Sequence, residues 1–292
     1  MEHEVAWKKY DEVDLEALEG LASNYIDFIS ENKTERRCAA AAIAMAEKAG
    51  YAPLSEAVRE ERTLKPGDKV WAHSHGKALI LVQIGREPIE GGMNILGAHI
   101  DSPRLDLKQN PLYESNGFAL LDTHYYGGIK NYQWVTVPLS MHGVVAKKDG
   151  SVVDVNIGDD EGDPVFCVTD LLIHLARQQM EKSGGKVVEG EDLDVLVGNR
   201  PMPETAGGNE DDAKAKKEPV KAFALKLLTD KYGIAEEDFL SAELEVVPAG
   251  RARELGFDRS MVIGYGQDDR VCAYTSLVAQ LEAPADLDKT AV

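Results

Sequence analysis

Apolar positions near the start of the chain recur with a helical period. Leu15, Leu18, Leu21, Ala22, Tyr25, Ile26 and Ile29 fall three or four residues apart, which predicts an amphipathic helix over residues 14–30. A second helix begins near Thr34, an N-cap residue type, runs through CAAAAIAMAEKAG and stops at Gly50, where a left-handed cap fits. From Lys69 the period becomes that of strands. KVWAH and KALILVQIG flank a short turn and predict a hairpin with a buried second strand, and MNILGAH predicts the next strand, also buried.

Further on, SMHGVVAKKDGSVVDVNIG predicts a hairpin turning at Asp149-Gly150, a pair that tight turns favour. VTDLLIHLARQQMEK predicts a helix from Thr169. Residues 204–219 hold no large apolar side chain, so a mobile loop is expected there. VKAFALKLLTDKYG predicts a helix closing at Gly233, ELEVV and SMVIG two short strands, and RVCAYTSLVAQLE a final helix. Helices and strands alternate at both ends while hairpins fill the middle. That order predicts an α/β domain interrupted by an inserted β-rich domain.

Composition narrows the function. A chain of 292 residues with 51 acidic and 32 basic side chains carries a formal charge of -19, which argues against a phosphate-backbone partner. Cys38, Cys167 and Cys272 lack the close spacing of a zinc knuckle or redox pair, so a reducing compartment is expected. The first residues lack the basic start and apolar centre of a secretory signal, and no window holds the roughly 18 apolar residues that span a bilayer. The expected location is cytoplasmic, without a membrane partner.

Two short stretches could carry chemistry. In GAHIDSPRLDLK, His99 and Asp101 sit two apart in an extended segment, so both can project to one side. A neutral imidazole suits zinc, and a carboxylate on its other nitrogen fixes the tautomer. The alternative is a surface pair in a turn set by Pro103. In GYGQDDRVCAY, Asp268 and Asp269 could hold a divalent cation, one carboxylate bridging two metals, or they could cap the helix that follows. His3, His73, His75, His124 and His142 read as structural or solvated, and His174 as a helix-face residue. There is no Gly-rich phosphate loop and no Gly-x-Ser-x-Gly elbow.

Taken together and in this order, the two stretches resemble the aspartyl aminopeptidase family of dinuclear zinc metallopeptidases. HYYGGI, VPLSMHGVV and LLIHLAR resemble segments of that family's insert, and the resemblance covers residues 10–292. It implies a zinc-aminopeptidase-like mixed sheet flanked by helices, with an inserted β-rich dimerisation domain. The implied division is 1–104 and 242–292 for the catalytic domain and 105–241 for the insert. By position, His99 and Asp268 would be metal ligands, Asp101 would orient His99, and His174 would reach a neighbouring subunit's substrate.

The implied reaction removes an acidic or neutral N-terminal amino acid from peptides, with two zinc ions, cobalt or manganese being possible, and a glutamate as general base. Homo-oligomers, commonly dodecamers, are implied as well. The family's Glu-Glu pair, a further carboxylate ligand and a terminal histidine ligand have no counterpart in this sequence. Glu60-Glu61 and Glu236-Glu237 stand in unlike contexts, and no histidine follows His174. The expectation is therefore an incomplete, inactive chain that lacks the general base. The alternatives are a non-catalytic assembly subunit and a dinuclear-metal deacylase of related fold.

Overall fold

The computed structural model describes residues 4–203 and 217–292, so the expected mobile loop lies largely outside the described residues. Contacts divide the chain into one unit of Met1–Ser102 with Arg251–Val292 and a second of Pro103–Gly250.

In the first unit, α1 (Glu12–Glu31) starts at a capping box in which Asp11 accepts from Val13 and Asp14. Tyr25 and Ile29 are buried, while Leu15 and Leu21 at the other end of the predicted stripe are exposed. α2 (Glu35–Lys48) is capped by Thr34, which accepts from the Arg37 amide at 3.3 Å, and the chain leaves it through Gly50 at φ +87. Ala39, Ala42 and Ala46 face inward beside Cys38, and Ala46 packs with Tyr51 and Leu81. After β1 (Ala52–Pro53) and the short α3 (Leu54–Arg59), β2 (Lys69–Ser74) runs parallel to β1 and antiparallel to β3 (Ala78–Gln83). β3 buries Leu81 and Gln83 but leaves Ile80 exposed, so it is half-buried rather than buried throughout.

The sheet continues through residues 290–292, whose Ala291 exchanges hydrogen bonds with Gln83, and on to residues 94–96. MNILGAH is thus extended and paired on one edge. It is not a buried strand, because Ile95 is 65% and Leu96 55% exposed. The predicted strand SMVIG forms as β12 (Met261–Ile263), paired with β11 (Arg253–Leu255). The last helix, Gln267–Leu281, buries Tyr274 against Tyr25 and Phe28, with ring centroids 5.4 and 5.0 Å away.

The second unit is built on a seven-stranded antiparallel sheet of β4 (Arg104–Ser115), β5 (Phe118–Tyr126), β6 (Leu139–Ala146), β7 (Val152–Ile157), β8 (Cys167–Val168), β9 (Val195–Gly198) and β10 (Ala242–Pro248). The strand order is β7-β6-β10-β4-β5-β9-β8. Gly150 at φ +86 makes the predicted β6–β7 turn, and Asn116-Gly117, both at positive φ, make the β4–β5 turn.

Two sequence expectations change here. ELEVV forms β10, which lies between β6 and β4, so the chain returns to the first unit at Arg251 rather than at residue 242. The helix predicted from Thr169 shrinks to Arg177–Met180. Asp170 accepts from the Leu171 amide at 2.8 Å and from Gln179 at 2.7 Å, holding the segment in a local turn that competes with the helix. Leu171, Leu172, Ile173 and Leu175 are consequently exposed instead of forming one buried stripe. The helix Pro219–Tyr232 does form and closes at left-handed Gly233.

Candidate metal centre

His99 lies just beyond the extended segment. Its Nδ1 is 3.0 Å from the carbonyl oxygen of Asp101 and 3.4 Å from that residue's carboxylate. Nδ1–H donates to the carbonyl, which leaves Nε2 as the ring atom able to bind a cation. The backbone of Asp101 therefore orients His99 as much as its side chain does. Nε2 stands 3.4 Å from Oδ1 of Asp268, whose side chain is 95% exposed.

The His99 pKa is raised above the ordinary histidine value. The Asp101 carbonyl is the main cause, burial opposes it, and the carboxylates of Asp101, Asp269 and Asp268 add to it. Asp269 also bears on Cys272, whose thiol pKa it pushes up.

The start of the final helix shapes this pair. Asp268 and Asp269 have non-helical backbone angles, so the regular helix begins beyond them. Ser102 donates to the Asp268 carbonyl at 3.0 Å. Arg270 is 1% exposed, and its Nε donates to the Ile100 carbonyl at 2.9 Å. Its Nη2 donates to Lys33 at 2.9 Å and its Nη1 to Asn32 at 3.4 Å. One buried guanidinium thus ties the loop carrying His99 and Asp101 to the turn carrying Asp268. Gly266, at φ +82, leaves room for it, since a Cβ there would sit 2.5 Å from Arg270 Nη1. Arg270 escaped sequence reading because, in the sequence, it is one more polar residue at a helix start. A buried arginine next to a candidate ligand was the available signal, and burial is not visible in the sequence.

The donor set fits zinc. Two ligands about 2.1 Å from one tetrahedral zinc lie about 3.4 Å apart, and His99 Nε2 and Asp268 Oδ1 are separated by 3.4 Å. A cleft of about 370 Å³ adjoins His99 and Asp101, lined by apolar residues that include Ala42, Leu96, Ala98 and Leu277.

Other candidates lie elsewhere. His73 and His75 are exposed at the β2–β3 turn, His124 stacks on Tyr125, and His174 is exposed in the second unit. His142 is buried, with Nε2 2.9 Å from Ser140 Oγ and 3.2 Å from Asp159. Glu60 and Glu61 follow α3, while Glu236 and Glu237 pair with Lys221 and Lys148. The three cysteines are free thiols.

A histidine and a carboxylate that converge at the edge of a mixed sheet are donors a metallohydrolase could use. The family model for aminopeptidase I zinc metalloproteases (M18) matches residues 28–291, and the chain belongs to that family. It is 56% identical to a probable M18 family aminopeptidase 1 of Clostridium acetobutylicum over 96% of its own length and 58% of the relative's. The crystal structure of aminopeptidase I from Clostridium acetobutylicum superposes with TM-score 0.88 at 52% identity, over 100% of this chain and 62% of that one. The S. cerevisiae mApe1 dodecamer shares the fold with TM-score 0.65 at 18% identity, over 94% of this chain and 60% of that one. The chain thus spans about three-fifths of the length of the curated relatives it matches.

Proposed function

We propose that this chain carries the first half of the active site of a zinc metalloaminopeptidase. His99 and Asp268 bind metal, and Asp101 holds the His99 tautomer. The reading rests on the 3.4 Å approach of His99 Nε2 to Asp268 Oδ1 while Nδ1 is held by Asp101. Zinc bound there supplies a Lewis acid that polarises a peptide carbonyl and acidifies a water. The chain's own part is to fix the imidazole, present the carboxylate and line the adjoining cleft with Leu96, Ala98 and Leu277.

The finer proposal is a two-zinc site acting on peptides with an acidic or neutral N-terminal residue. His99, Asp101 and Asp268 alone account for metal binding and not for a general base, so zinc binding rather than peptide turnover is the activity expected of the isolated chain. Homo-oligomerisation, with His174 reaching a neighbouring subunit, is supported by the exposed run Leu171–Leu175 and by the fold-level likeness to a dodecamer.

Zinc titration followed by calorimetry tests the core of the reading. Binding lost in His99→Ala and Asp268→Ala supports it, and unchanged binding in both sinks it. Release of amino acids from unblocked dipeptides by the isolated chain would overturn the expectation of binding without turnover. Cleavage of acylated amino acids instead would move the reading to a deacylase.

A further inference from the structure

Asp268 points at His99 with a side chain that is almost wholly exposed. A side chain so exposed takes its place from the backbone that carries it. Arg270 fixes that backbone after Asp268. The residue before it, Gln267, is fixed as well, by different partners.

Gln267 is half-buried, and both ends of its amide are engaged. Its Nε2 donates to the Val262 carbonyl at 3.0 Å, closing the loop that leads from β12 into the final helix. Its Oε1 accepts from the Tyr25 hydroxyl of α1 at 3.4 Å. Tyr25 is a firm anchor, because its ring is buried with Ile29, Ala252 and Tyr274. Burial pushes its hydroxyl up to about 12, with the Arg270 charge opposing, so the group stays a donor at physiological pH.

The backbone between these anchors has little play. A Cβ at Gly264 would lie 2.7 Å from Ala252 Cβ and 3.1 Å from Ile29 Cδ1, so the chain passes flush against the same apolar cluster. Gly266 then turns at φ +82, a conformation that favours glycine. The loop thus meets the cluster at Gly264 and again, through the Gln267 amide, at Tyr25.

We propose that Gln267 is a positioning residue of the metal centre: by bridging Tyr25 and Val262 it holds the backbone from which Asp268 reaches His99, as Arg270 does from the other side of that residue. The inference rests on the reading of Asp268 as a metal ligand. The bond to Val262 sets the shape of the loop, and the bond to Tyr25 ties that loop to α1. A ligand placed before the metal arrives binds it more tightly than one that must be ordered on binding.

The test uses the full chain. Gln267→Met keeps the bulk of the side chain and removes both hydrogen bonds, so zinc affinity in calorimetry should fall about ten-fold. The absorption spectrum of the cobalt-loaded chain, which reports ligand geometry, should shift with it. Tyr25→Phe keeps the ring and removes one bond, and affinity should fall about three-fold. In the Gln267→Met background Tyr25→Phe should cost nothing further, because the two residues form one link. Val278→Ala weakens the same cluster without touching either bond. It should lower stability in urea and leave zinc affinity and the cobalt spectrum as in wild type.

Zinc binding that is lost in Asp268→Ala yet unchanged in Gln267→Met and Tyr25→Phe overturns this inference and leaves the proposed function standing. Binding unchanged in all three overturns both. A loss in Val278→Ala equal to that in Gln267→Met also overturns the inference, by showing that affinity follows stability alone. If Gln267→Met does not fold, Tyr25→Phe decides by the presence or absence of its own loss.

Discussion

Arg270 Nε donates to the carbonyl of Ile100 at 2.9 Å, joining the residue between His99 and Asp101 to the helix that begins beside Asp268. Arg270→Lys retains the charge but cannot reach the Ile100, Lys33 and Asn32 carbonyls with one planar fork. Leaving these buried acceptors unsatisfied should cost roughly 2–4 kcal/mol. Because His99 and Asp268 would lose their alignment, zinc affinity should fall about 10–100-fold. Urea denaturation and zinc calorimetry on the same protein check both, and unchanged zinc affinity would show that Arg270 serves stability alone.

Gly266 tests the same tie from its other side. A methyl group at this residue would lie 2.5 Å from Arg270 Nη1 and 3.3 Å from Ser102 Oγ, on backbone at φ +82. Gly266→Ala should destabilise the fold by about 1–3 kcal/mol through strain and displacement of the guanidinium. Thermal unfolding within error of wild type would refute this.

The two aspartates should separate cleanly. Asp268 Oδ1 faces His99 Nε2 at 3.4 Å, whereas Asp269 bears on the Cys272 thiol. Asp268→Asn is expected to lower zinc affinity by about 100-fold, and Asp269→Asn by less than about ten-fold. The reverse order in calorimetry would reassign the ligand.

Zinc binding should weaken with acid earlier than an ordinary histidine site would. Only neutral imidazole ligates, and the His99 pKa is raised above 6.5. Affinity should fall by about ten-fold per pH unit below that raised value. For the metal-free chain the sign is opposite. Charged His99 favours the folded state, so its contribution is complete below the ordinary value and is lost as pH rises through the raised one. Calorimetry and unfolding between pH 5 and 8 check the pair, and a zinc midpoint below the ordinary histidine value would contradict it.

In the second unit, Gly143 has no room for a side chain. At φ +142, a Cβ would lie 1.9 Å from the Glu243 carbonyl oxygen on the neighbouring strand. Gly143→Ala should cost more than about 4 kcal/mol. Gly117→Ala, at a β-turn with open space around it, should cost about 1 kcal/mol. Circular dichroism during urea unfolding should therefore show the first variant unfolded where the second is native.

Local signals located most elements. Thr34 and Gly50 mark the ends of α2, Gly233 ends its helix, and Asp149-Gly150 turns its hairpin, because caps and turns are set by residues adjacent in the chain. Asn116-Gly117 is an equally strong hairpin signal that the hydrophobic pattern alone passes over. The reading failed where an element's fate depends on what covers it. Leu171–Leu175 has the apolar content of a buried helix but is left uncovered by the described residues, and ELEVV has the look of any short strand.

The same division holds for the site. By itself the sequence offered His99, Asp101 and Asp268 as candidates, since an imidazole and carboxylates are donors a zinc hydrolase needs, and it carried the kinship that the family match shows. Only the tertiary structure decided that Asp268 rather than Asp269 reaches His99, that the Asp101 carbonyl holds the ring, and that buried Arg270 joins the two segments. It also decided that Gln267, beside Asp268, meets the Tyr25 hydroxyl. Distances between residues remote in sequence follow from packing, which the order of residues encodes only through the whole fold.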